Sequence, residues 1–182
     1  MSASSASSVS TSSSVGGAMP SPPARPLAAI FWGGLLAGIF DITQAFIGFG
    51  LLGAKPFRIL QHIAGGVFGA RSMEMGWTSA ALGLIFHFTI AFTAAAVYYL
   101  ASRILRVLVD RAVLCGLAYG ELVFLFMYFV VLPISALGPA HFSVATYITG
   151  PIGHTLLVGL PICPGTVALA SFKRNPPVAG IV

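Results

Sequence analysis

Four ionisable residues, Asp41, His87, Glu121 and His154, each stand inside a long apolar stretch of the chain, in the order acid, histidine, acid, histidine. Carboxylates and imidazoles can exchange protons, and inside a bilayer they are expensive. A carboxylate at the centre of a span costs about 2.5 to 3.5 kcal/mol on insertion scales. Desolvation disfavours the charged form of an isolated carboxylate and of an isolated imidazolium alike, whereas the two together can share one proton as a hydrogen-bonded or ionic pair. Asp41 and His87 are the expected pair, and Gln44, one turn from Asp41, is the natural third group. Several uses are open to such a polar cluster. It can fix helix packing, carry a proton or an ion, take a small molecule or lipid, or serve redox chemistry with two histidines on a haem iron. The absence of Glu-x-x-His and His-x-x-x-His spacing argues against ligation, so neither metal nor cofactor is expected.

The elements that hold these groups must be membrane helices. The chain has 182 residues, 57% apolar and 7% charged, with a mean hydropathy of +0.96. Soluble domains carry about 25% charged residues, so water is not the main solvent of this fold. An all-α, four-span transmembrane bundle is expected, with helices at about 28–51, 78–100, 112–135 and 149–171, each near the 20 residues or so that cross a bilayer. Between the first two, Phe57, Leu60, Ile63 and Val67 recur at helical spacing while Arg58, Gln61 and His62 take another face. That pattern predicts an amphipathic helix over about 56–68 in the outer interface, ended by Gly65 and Gly66. Residues 1–26, rich in Ser and then Pro, lack the apolar content to order and lack the core of a secretory signal. They read as a tail outside the membrane domain of 27–172, and 173–182 as a second, short one.

Small residues mark the faces along which the helices should meet. Gly34, Gly38, Asp41, Ala45 and Gly48 share one stripe; Gly83 and His87 share another; Gly116 and Gly120 precede Glu121. Such stripes let backbones approach closely, which would turn the ionisable groups towards neighbouring helices. Counted at about 1.5 Å per residue, Asp41 and His87 lie roughly 20 Å from the inner boundary, Glu121 roughly 14 Å and His154 roughly 26 Å. The two helical hairpins resemble one another, as parallel repeats do. In the fourth span Pro161 and Pro164 remove backbone hydrogen bonds, so a kink is expected there.

Arg25, Arg103, Arg106, Arg111, Lys173 and Arg174 fall on one side of this arrangement, and Lys55, Arg58 and Arg71 on the other. The excess predicts cytoplasmic termini. The net charge of +5 then reports orientation and contact with anionic lipid, not a nucleic-acid partner. Cys115 and Cys163 lie in apolar runs without ligand spacing and read as small buried hydrophobes. No phosphate loop, GxSxG or HExxH motif is present, so no catalytic residue can be placed.

The stretches "GGLLAGIFDITQAF", "RILQHIAGGVFG", "TSAALGLIFHFTIAFTAAAVYYLASR" and "CGLAYGELVFLFMYFVVLPISALG" resemble a family of small uncharacterised bacterial inner-membrane proteins over roughly 27–172. More distantly, the order of a glycine-led helix, a His-Phe helix, a "GLxxG" helix and a late "GH" is similar to the YagU group. The resemblance implies an inner-membrane location and four helices, and brings no activity or site residues. The expected function is an accessory or structural membrane component, assembling with itself or with another membrane subunit. The alternatives are a proton- or cation-coupled transporter or channel component using the polar cluster, and a haem or quinone redox subunit.

Overall fold

The structure, a computed structural model, describes residues 26–139 and 150–163. Every regular element among them is helical: α1 (Pro26–Leu51), α2 (Pro56–Phe68) with the 3-10 helix Gly69–Met73 after it, α3 (Trp77–Ile104), the single turn α4 (Val107–Asp110), α5 (Ala112–Ile134) and α6 (Gly150–Cys163). Helices α1, α3 and α5, of 26, 28 and 23 residues, are long and apolar enough to cross a membrane. At about 1.5 Å per residue they reach some 39, 42 and 35 Å, against a hydrocarbon core of about 30 Å. Helix α6 is shorter. The remainder of the expected fourth span, Pro164 with it, lies outside the described residues, as do 1–25 and 173–182.

Close packing follows the small residues. A Cβ added at Gly34 or Gly38 of α1 would meet the Phe92 or Phe88 ring of α3, and one added at Gly33 would lie 3.5 Å from the Ile162 backbone of α6. The stripe expected on α1 is not a contact along its whole length, because Gly48 has open space beside it. Ala37, Ala95, Tyr98, Val158 and Ile162 form the core where α1, α3 and α6 converge. On α5, Gly116 and Gly120 are where α6 approaches. A Cβ at Gly116 would lie 2.7 Å from the Cys163 Cβ, and one at Gly120 would strike the His154 carbonyl. Outward faces carry exposed Trp32, Phe40, Ile47, Leu122 and Phe126, as expected where the surrounding solvent is hydrocarbon.

Two stretches widen into π-helix, Met127–Val131 in α5 and His154–Gly159 in α6. Each ends two residues before a proline, Pro133 or Pro161. A proline offers no N–H to the carbonyl four residues back, and its ring collides with that carbonyl. A wider turn relieves the collision, and in α5 the Leu132 N–H donates to the Met127 carbonyl five residues back. The irregularity expected at Pro161 therefore takes the form of π-helix, and Pro133 has a counterpart that its sequence context did not flag.

Helix α2 corrects two sequence expectations. Gln61, placed on the polar face, is fully buried. Its amide donates to the carbonyls of Ser72 and Gly76 and to Ser79 Oγ at 3.1 to 3.4 Å, while Arg58 donates to its Oε1 at 3.0 Å. Arg58 and His62 are the exposed ones. Gly65 and Gly66 do not end the helix. It runs on to Phe68 and stops at Gly69, whose φ of 58° suits glycine. Gly65 is instead a seat for Leu137, and the Gly66 carbonyl accepts from the Ala136 N–H at 2.9 Å. Gly83, expected to face a spanning helix, faces α2, and a Cβ there would strike the Leu60 carbonyl. The amphipathic helix is thus docked between the start of α3 and the end of α5.

Candidate functional site

Asp41 lies at the centre of the site. Its helix carries Gly38 one turn earlier, and with no Cβ there α3 comes close enough for the His87 ring to reach the Gly38 backbone. His87 Nε2 stands 2.9 Å from the Gly38 carbonyl oxygen, and its Nδ1 faces Asp41 Oδ2 at 3.9 Å. From the opposite side His154 Nε2 faces Asp41 Oδ1 at 3.7 Å. The other His154 nitrogen, Nδ1, stands 3.1 Å from the Gly150 carbonyl oxygen within α6. One carboxylate from α1 is therefore flanked by two imidazoles, one from α3 and one from α6.

The two carbonyls decide what the imidazoles can offer. A carbonyl oxygen only accepts, so His87 Nε2 and His154 Nδ1 must each carry their hydrogen. In a neutral ring the remaining nitrogen, the one that faces Asp41, presents a lone pair to a carboxylate that also only accepts. An attractive contact on either side needs one proton more, on the imidazole or on the carboxylate. The gaps of 3.7 and 3.9 Å are ion-pair separations, longer than the roughly 3.2 Å limit of an N–H···O bond. The three side chains are 12 to 22% exposed. They are covered enough to make an unpaired charge costly.

Aromatic rings and a second polar contact surround this centre. The His87 ring sits edge-on to Phe88, and the His154 ring lies across Phe124 of α5, each at 5.4 Å. Gln44, the expected companion of Asp41, packs on Gly153, where a Cβ would lie 2.5 Å from its Nε2. Glu121 occupies a different contact, accepting from Thr155 Oγ1 of α6 at 3.1 Å. The structure thus brings Asp41, His87, His154 and Gln44 to the junction of α1, α3 and α6, and puts Glu121 at the α5–α6 seam. Among the described residues no three of His, Cys, Asp and Glu are grouped as a bound metal requires.

Comparison of the chain with protein-family models, with curated proteins and with solved structures returns no match.

His154, expected about a turn above Asp41, has its ring in reach of the same carboxylate. Thr155 was not singled out, although its place next to His154 and its hydroxyl on an apolar helix were the available signals. Nothing in the residue pattern pointed to the Gly38 and Gly150 carbonyls that fix the two rings, because backbone acceptors leave no trace in residue type.

Proposed function

We propose that this is a multi-pass integral membrane protein of the bacterial inner membrane, with four spans and both termini cytoplasmic. In this reading it acts as a non-enzymatic structural or accessory component whose bundle is closed by a clasp of His87, Asp41 and His154. One observation carries the reading: polar groups from every span fasten one helix to another. Asp41 joins α1 to α3 and α6, Thr155 joins α6 to Glu121 of α5, and Tyr119 of α5 donates to the Ala94 carbonyl of α3 at 2.7 Å. Three apolar helices of spanning length support the membrane location. The arginines of the α3–α5 connection support the orientation.

The test is proton flux into liposomes holding a pH-sensitive dye. Equal, background-level flux for the wild type and Asp41→Asn, together with weaker resistance of the variant to unfolding, is the expected result. Flux that depends on Asp41 would replace this reading with the second one, proton-coupled transport. That reading draws on one feature of the site: a carboxylate between two imidazoles can receive a proton on one oxygen and release it from the other.

A further inference from the structure

Among the described residues, the side of the bundle between α3 and α5 is open. A cleft of about 440 Å³ runs there, walled by Thr89, Thr93 and Val97 from α3 and by residues from Tyr119 through Leu122 to Val131 of α5. Its hydroxyls are already used. Thr89 and Thr93 donate to the carbonyls of Ile85 and Thr89 at 2.8 and 2.7 Å, and Tyr119 to that of Ala94. The walls therefore offer no hydroxyl proton to a polar guest and select an apolar one. From Tyr119 to Val131 the cleft extends about 18 Å along α5. Its length and apolar walls suit an extended hydrocarbon chain.

The inner mouth of the cleft is basic. Helix α3 ends at Ile104 and α5 begins at Ala112, so the intervening segment crosses below the cleft. It carries exposed Arg106 and Arg111, with Arg103 just before it and Asp110 the acid within it. Tyr98, next to wall residue Val97, donates to the Leu108 carbonyl at 3.1 Å. Leu108 packs on the core, and the segment is thereby pinned to the bundle. Val97 lies about 9 Å from Arg103 along its helix axis, and Tyr119 about 12 Å from Arg111. A chain in the cleft thus emerges a headgroup's length from cationic side chains.

We propose that this cleft binds one acyl chain of an anionic phospholipid from the adjoining leaflet, with the headgroup phosphate held by Arg106 and Arg111. Apolar walls set the chain's position and the arginines select charge, each near a membrane surface strengthening attraction for anionic lipid several-fold.

The test is lipid retention by the purified full chain, read by native mass spectrometry and by thermal stability in detergent. The probes are dioleoylphosphatidylglycerol, dioleoylphosphatidylcholine and glycerol 3-phosphate. The wild type should retain and be stabilised by phosphatidylglycerol over phosphatidylcholine, with glycerol phosphate alone inert. Arg106→Gln with Arg111→Gln should cut that preference about tenfold while leaving chain binding intact. Val97→Trp, or Leu122→Trp from the opposite wall should the first fail to fold, should abolish retention of both lipids. Equal retention of the two lipids by the wild type, an unchanged preference in the arginine variant, or competition by glycerol phosphate would overturn the proposal. So would a wild-type dimer that the tryptophan variant converts to monomer, since a second copy would then occupy the cleft.

Discussion

Asp41 is where residue chemistry and helix packing meet, because each imidazole beside it has its obligatory hydrogen engaged by a backbone carbonyl. Replacing the carboxylate by an amide keeps the volume and removes the charge. Asp41→Asn is expected to lower resistance to unfolding by about 1 kcal/mol, since polar contacts between membrane helices average about 0.6 and reach about 1.7 kcal/mol. Titration of folded protein from mild detergent into sodium dodecyl sulfate measures it. His87→Gln and His154→Gln should each cost a similar amount, and each should be non-additive with Asp41→Asn, because side chains in one network share their energy. Full additivity of the paired substitutions would show that the histidines and Asp41 act separately. The Asp41–His87 approach was legible in the sequence because both residues sit mid-span on small-residue stripes. The approach of His154 to the same carboxylate was not, since it depends on how α6 packs against α1, which residue types do not announce.

At the scale of elements, glycines decide which helices touch. A Cβ at Gly120 would strike the His154 carbonyl, whereas one at Gly48 meets nothing within 4 Å. Gly120→Ala should therefore destabilise the bundle by about 1 to 3 kcal/mol through overpacking, and Gly48→Ala should be neutral or slightly stabilising, because alanine is the better helix former. The same detergent titration compares them, and equal effects would contradict the close α5–α6 seam. Helix α2 depends on Gln61. Gln61→Leu removes the amide's hydrogen bonds to Ser72, Gly76 and Ser79, while Ser79 Oγ still donates to the Ser72 carbonyl at 2.6 Å, so the cost is about 0.5 to 1.5 kcal/mol for each hydrogen bond lost. Faster hydrogen exchange confined to α2 and the following turn would mark that loss, and unchanged exchange would contradict the anchoring role. The period of Phe57, Leu60 and Ile63 made this helix visible in sequence. Its partners were not visible, because a glutamine amide reads as surface until three acceptors are folded around it.

For the molecule as a whole, apolar length carried the most reliable signal: three helices of 23 to 28 residues follow from runs that charge barely interrupts. Composition could not say how the helices order around one another, and the open α3–α5 side arises from that ordering. Orientation has its own check in a chain freed of Cys115 and Cys163 by serine substitution. Cysteine placed at Arg106 should react with a membrane-impermeant maleimide only in inside-out vesicles, and cysteine placed at Lys55 only in right-side-out ones. The reverse pattern would invert the proposed topology. The central claim, a clasp of His87 and His154 on Asp41, is tested most directly by double-mutant cycles that combine Asp41→Asn with His87→Gln and with His154→Gln, read by unfolding in detergent. The account predicts that each histidine substitution costs clearly less in the Asp41→Asn background than in the wild type, because the contact it removes is already broken there. The same cost in both backgrounds, for both histidines, would contradict it.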